Sequence, residues 1–178
     1  MICNNCDGNL IIKTGQRYHY VMSGLDNVYL ENIEVEECES CGQITPYIPS
    51  MPTLHKMIAE RLVLKSSALI GKEIRFLRKE RRKKAKDWAA LLKVEPETLS
   101  RWENEEKQPS ESMDQYIRLL YCRVFEEQEK QLFTSNVLNR FVDLTENQQF
   151  TINIDVTNLL VQIDNLAKQC TLETSLVL

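Results

Sequence analysis

Histidine is scarce in this chain, with 2 in 178 residues, and glycine is nearly as rare, with 5. No Gly-rich phosphate loop is present. Neither His19 nor His55 has a Cys or carboxylate motif partner from which a catalytic pair is built. Catalysis is therefore not expected, and both histidines read as surface or sheet packing residues. Long apolar runs are also missing: none approaches the roughly 18 residues needed to span a bilayer. The opening residues MICNNCDGNL lack the basic and apolar regions of a secretory signal. These absences point to a cytoplasmic protein in a reducing compartment, where cysteines serve as metal ligands or free thiols before they pair as disulfides.

What is present is an ordinary globular composition, 43% apolar and 27% charged, in a chain long enough for one domain or two small ones. The net charge of −4 hides an uneven distribution. Residues 1–68 carry 5 Lys/Arg against 8 Asp/Glu, residues 69–109 carry 12 against 8, and residues 110–178 carry 5 against 10. A basic centre between acidic flanks is the pattern of a segment that meets a polyanion.

Three zones follow one another. In the first, NLIIKTGQRYHYVM and NVYLENIEVEEC are rich in Ile, Val, Tyr and Thr and are joined by the turn-forming SGLDN. They read as a β-hairpin or small antiparallel sheet. TPYIPSMP then closes the zone with three prolines, too many for regular structure. From Thr53 onward apolar residues recur at helical spacing, with KSSALIG as an interruption. The third zone opens with PSESMDQYIRLLYCRVFEEQEKQLF, whose Met113, Ile117, Leu120 and Val124 predict a long amphipathic helix. Farther on, QFTINIDV alternates Phe150, Ile152, Ile154 and Val156 and predicts a short strand, while TLETSLVL carries no signal.

The first zone is bracketed by two C-x-x-C pairs, Cys3/Cys6 and Cys38/Cys41, with 31 residues between them. Each pair turns two sulfurs toward one point, and a hairpin of this length brings its ends together. A closed four-cysteine shell around one tetrahedral, structural Zn²⁺ is the expectation. Gly8 and Gly42 follow the pairs, where a tight turn gains from the missing β-carbon. The alternatives are four free thiols or a redox pair, but a redox C-x-x-C opens a helix after a strand, and neither pair stands there. Cys122 and Cys170 stand alone in apolar, helical surroundings and read as small hydrophobes.

The central zone reads as three helices. IGKEIRFLRKERRKK presents Ile70, Ile74 and Leu77 inward, and AKDWAALLKV supplies a second helix with Trp88, Ala89, Leu91 and Leu92 apolar. PETLSRWENE buries Leu99 and Trp102, with Pro96 suited to its first turn. The short connection around Lys93–Glu95 is that of a helix-turn-helix. It frees Glu97, Thr98, Ser100, Arg101 and Asn104 on the outer face of the third helix. Arg101 suits a bidentate contact with guanine, and Thr98 and Ser100 suit phosphate or a base edge. The basic run Arg75, Arg78, Lys79, Arg81, Arg82, Lys83, Lys84 and Lys86 would supply salt-dependent attraction to the DNA backbone. Taken alone, that run reads equally as a solvated helix face or an RNA-binding patch.

Residues 69–120 resemble the Xre/lambda-repressor-like helix-turn-helix family through Ser100, Arg101, Trp102, Glu103, Pro109 and Ser110. Preceded by Cys3-Cys6 and Cys38-Cys41, residues 1–120 resemble the MqsA/YgiT-type antitoxins. The expected chain is α+β: a small N-terminal zinc-binding β domain (1–50), a helical linker (51–68), an all-α helix-turn-helix domain (69–120) and, beyond the resemblance, a helical C-terminal extension (121–178). The resemblance implies a homodimer that represses its own operon at a palindromic operator in double-stranded DNA, and an N-terminal domain that binds a protein toxin. The base-contacting positions fall on Glu97 and Arg101, where Glu97 replaces the usual polar residue, cannot donate, and so accepts from cytosine N4 or meets no base. Arg82, Lys83, Lys84 and Lys86 fall beside the phosphates. Three further positions depart from the pattern: Ala85 replaces a phosphate-binding Gln, and Lys93 and Glu105 replace glycines. The extension dimerises, binds a partner or completes the core. The second functional reading is a zinc-containing regulator without a toxin, whose N-terminal domain docks another protein.

Overall fold

In the computed structural model, residues 1–129, 150–159 and 161–162 are described. The fold is α+β, an N-terminal sheet followed by helices. The chain divides into two compact units. One comprises Met1–Tyr20, Asn27–Met57 and the segment from Thr151, and the other comprises Val21–Asp26 and Ile58–Phe150.

The first unit is built on a central strand. β1 (Leu10–His19) and β2 (Val28–Cys38) form the expected antiparallel pair, with Leu10 opposite Cys38 and His19 opposite Tyr29. Residues buried along β2 are Val28, Leu30, Ile33, Val35 and Cys38. The step from 30 to 33 is three residues rather than two, so β2 needs an extra residue to keep its apolar side chains on one face. Asn32 supplies it at φ 57, and Gly15 at φ 64 marks the compensating bulge in β1. On its other edge β2 pairs antiparallel with β3 (Ile44–Pro46) along Val35–Glu37, and parallel with β4 (Ile152–Asp155) along Val28–Glu31. Asn32 also donates its amide to Asp155 Oδ2 at 2.9 Å.

Two expectations are corrected here. The proline-rich TPYIPSMP is not irregular throughout. Pro46 ends β3, where a sheet edge tolerates a missing N–H, and α1 (Met51–Leu64) carries Pro52 in its first turn, where that N–H has no partner to lose. Ser50 caps α1, its Oγ accepting from Thr53 N at 3.4 Å. The strand expected near QFTINIDV exists as β4, yet it belongs to the N-terminal sheet rather than to a helical extension after residue 120. The rest of that extension, Cys170 included, falls largely outside the described residues.

In the second unit, α2 (Gly71–Glu80), α3 (Ala85–Leu92), α4 (Pro96–Glu103) and α5 (Glu111–Glu129) follow one another. Their shared core is Ile74, Leu77, Trp88, Ala89, Leu92, Leu99, Trp102, Ile117 and Tyr121. Ile70, expected inward, is 40% exposed. Ile70 is the N-cap of α2, where the backbone is extended and the helical face has not begun. Ser110 opens α5, its Oγ accepting from Met113 N at 3.3 Å. The helix ends of this unit turn through left-handed residues that are not glycine: Arg82 at φ 53, Lys93 at φ 56 and Glu105 at φ 63. Gly71 has a different reason to be glycine. A Cβ there would collide with the backbone oxygen of Trp102 and lie 3.0 Å from the carbonyl carbon of Glu103, so α2 and α4 touch through its bare backbone.

Candidate metal centre and candidate nucleic-acid interface

Cys3, Cys6, Cys38 and Cys41 converge, all four sulfurs lying within 4.8 Å of one another. The two knuckles repeat one backbone pattern. Asp7 N donates to Cys3 O at 3.0 Å and Cys3 N to Gly8 O at 2.9 Å; Gly42 N donates to Cys38 O at 2.9 Å and Cys38 N to Gln43 O at 2.9 Å. Asp7 (φ 58) and Gly42 (φ 70) are therefore equivalent left-handed residues. Gly8 serves a different end: a Cβ would meet Ser40 Oγ at 2.5 Å and Cys38 Sγ at 3.1 Å. The register of β1 and β2 ends with Leu10 opposite Cys38, which sets the two knuckles side by side.

The sulfurs sit 3.8 Å apart for Cys3–Cys41 and 3.5 Å for Cys6–Cys38. A tetrahedral thiolate site with bonds near ~2.3 Å has edges of about 3.8 Å, so the cluster has the size to hold one metal ion. Cys3 and Cys38 are buried, whereas Cys6 and Cys41 are exposed. Their thiols titrate apart. The backbone N–H of Gln43, then bonds from Cys6 and Asn5, lower Cys41 to about 6. At Cys6 the backbone N–H of Gly8 also favours the thiolate, but contacts with Cys38 and Cys41 outweigh it and push the thiol up to about 12. Neighbouring sulfurs that share protons resist losing them all without a cation.

In the helical unit, the described surface sorts the basic run into two classes. Arg78 grips Glu103 with Nε and Nη2, each at 2.7 Å, and its Nη1 donates to the carbonyl of Lys83 at 3.0 Å. Arg75 donates to Glu103 at 3.3 Å and to Asn104 Oδ1 at 2.5 Å. Arg81 is buried, paired with Glu80 and stacked over Tyr121 and Phe125. The sequence pattern places these three beside DNA; Glu103 and Glu80 draw them into the protein instead. Arg82, Lys84 and Lys86 are exposed and Lys83 is half-buried, in the turn before α3 and its first residues. None of the four makes a side-chain ion pair among the described residues.

On α4, Glu97, Ser100, Arg101 and Asn104 are exposed and Thr98 is half-buried, while Leu99, Trp102 and Glu103 face inward. Asn104 is the C-cap of α4, and its Nδ2 donates to Ser100 Oγ at 3.3 Å. The sequence reading missed Glu103 as the organiser of this face. Its spacing directly after buried Trp102 was the available signal.

His55, read as a packing residue, bonds the buried Tyr20 hydroxyl through Nε2 at 2.9 Å, and His19 stacks on Tyr29 with centroids 4.7 Å apart. Among the described residues no helix is long and apolar enough to cross a membrane. No protein-family model, no curated protein and no solved structure matches the chain.

Proposed function

We propose that this chain is a sequence-specific DNA-binding transcriptional repressor of the antitoxin type, with a helix-turn-helix formed by α3 and α4. The observation that carries the proposal is the exposed face of α4. Glu97, Ser100 and Arg101 stand clear of the core, and in the same helical unit four cations, Arg82, Lys83, Lys84 and Lys86, have no acidic partner among the described residues. Arg101 is the guanine-reading residue, and the cations neutralise phosphates. The left-handed Lys93 between the helices supports the same reading, because it makes the turn as tight as a glycine would.

The metal is Zn²⁺ in this proposal. Four thiolates are soft ligands, and their closed shell leaves no position for chemistry, so the ion holds the knuckles together and the chain is not an enzyme. Cys3, Cys6, Cys38 and Cys41 would hold it. The protein acts as a cytoplasmic homodimer on paired half-sites of a palindromic operator. A toxin is the partner that the antitoxin reading requires. The alternative, a regulator without a toxin whose sheet docks another protein, draws support from β1, an edge strand with Ile12 53% exposed.

Fluorescence anisotropy on the chain's own upstream DNA and on scrambled DNA, across a salt series, tests the proposal. Tight binding that prefers the upstream DNA supports an autoregulator. Equal, strongly salt-dependent binding to both reduces α4 to a basic face, and no binding to either leaves the protein-docking alternative.

A further inference from the structure

The exposed face of α4 is ordered by a chain of hydrogen bonds that begins in the core. Arg78 holds the Glu103 carboxylate with two bonds of 2.7 Å. Glu103 in turn accepts from Arg75 Nε at 3.3 Å, and Arg75 Nη2 reaches Asn104 Oδ1 at 2.5 Å. Only a carbonyl oxygen can face a guanidinium donor at that distance, so the Asn104 amide has one orientation. Its NH2 therefore points the other way and donates to Ser100 Oγ at 3.3 Å.

That last bond favours the donor role of Ser100. A hydroxyl has one proton to give and two lone pairs to accept with. Asn104 engages a lone pair, and the Ser100 proton has no acceptor among the described residues. Resting on the DNA-binding reading above, we infer that Ser100 is a specificity-determining hydrogen-bond donor, aimed at a base edge in the major groove. The bases that can answer a donor are guanine through O6 and N7, adenine through N7 and thymine through O4. Cytosine offers only its N4 amino group there, which only the remaining lone pair of Ser100 could meet, so the position facing Ser100 disfavours cytosine. Arg75, Arg78 and Glu103 act as positioning residues, through Asn104.

The relay also states how to reverse the preference. Asn104→Asp keeps an oxygen for Arg75 but places a second oxygen where the NH2 was. The Ser100 proton then turns inward to the carboxylate, and its lone pairs turn outward to receive a donor such as cytosine N4.

The test is selection of binders from a duplex pool with a randomised core, by the full-length metal-loaded protein and by Ser100→Ala and Asn104→Asp. Anisotropy on the selected duplex and its single-base variants follows. Both residues are exposed, and thermal melts of the variants check that the fold is kept. The expected result is one position at which the wild type disfavours cytosine by about fivefold, the size of one net hydrogen bond. Ser100→Ala flattens that preference, and Asn104→Asp turns it toward cytosine at that position alone. If the wild type selects a site and both variants keep its base preferences, or weaken all duplexes equally as loss of a phosphate contact would, the inference fails while the proposed function stands. If the wild type selects no sequence, the DNA-reading proposal itself fails and the inference falls with it.

Discussion

Arg118, buried in α5, donates from Nη1 to the backbone carbonyl of Lys65 at 2.7 Å. The same guanidinium reaches Val63 O at 3.2 Å and Ser67 O at 2.7 Å, while its Nε is held by Asp114 at 2.7 Å. Asp114 also accepts from Leu69 N at 2.6 Å. One buried ion pair thereby satisfies the carbonyls at the end of α1 and threads the segment leading to α2. Beside it, Lys65 and Glu73 form a second buried pair at 2.6 Å. Removing one partner leaves an uncompensated charge in the core, which costs about 3–5 kcal/mol. Arg118→Ala is expected to lower the stability read from urea unfolding by that amount. Arg118→Lys is expected to recover only part of it, because an ammonium cannot reproduce the planar fork that serves several acceptors.

Gly71 is expected to refuse even a methyl group. Its Cβ would collide with Trp102 O, and a backbone atom cannot swing aside as a side chain would. Gly71→Ala should cost about 1–3 kcal/mol by forcing α2 from α4. Denaturant unfolding checks the loss, and the fluorescence of buried Trp102 reports the local shift.

Lys93 offers the opposite case. It occupies the left-handed region at φ 56, unfavourable for a residue with a β-carbon. Lys93→Gly should stabilise the protein by about 0.5–1 kcal/mol, the relief of strain exceeding the added freedom of the unfolded chain. Lys93→Ala keeps the strain, and a thermal melt should show no comparable gain.

Without metal, the cluster should give stability a pH dependence of predictable sign. Cys41 falls from its ordinary 9.0 to about 6, so its contribution is present above pH 9 and is lost as pH falls toward 6. Cys6 rises from 9.0 to about 12, so its contribution is present below pH 9 and is lost as pH climbs toward 12. Urea midpoints of the chelator-stripped protein, compared with Cys41→Ser, should show the limb between pH 6 and 9 disappear in the variant. Metal should raise the wild-type midpoint and release protons on binding, and Cys38→Ser should abolish that gain.

Arg101→Ala is expected to remove the preference for specific over scrambled DNA. Changes at Lys83 and Lys84 should weaken both about equally and reduce the salt slope by about one per charge. Equal loss on the two DNAs for Arg101→Ala would strip that residue of its base-reading role.

Much of this was legible along the chain, because it depends on neighbours a few residues apart. The strand pair β1–β2 appears as written, and even the bulge at Asn32 shows in the step from Leu30 to Ile33. The C-x-x-C pairs, the buried faces of α3 and α4, and the strained turn at Lys93 follow from equally local rules. The partners of individual charges did not. Arg75, Arg78, Arg81, Arg82 and Lys83 form one uniform basic run in the sequence. Only the approach of α4 to α2 gives Arg75 and Arg78 the Glu103 carboxylate, and only the packing of α5 places Tyr121 and Phe125 against Arg81. That approach also explains why Gly71 must be bare.

β4 makes the same point for the sheet. Its alternation identified a strand, but a parallel partner more than a hundred residues away leaves no mark on local periodicity. The sequence alone thus determined most of the elements, the buried faces of α3 and α4 and the four-cysteine set, since period, turn chemistry and spacing are short-range properties. Tertiary structure decided which cations of the basic run are neutralised and where the last described strand joins, because Coulomb partners and strand neighbours are chosen by distance in space.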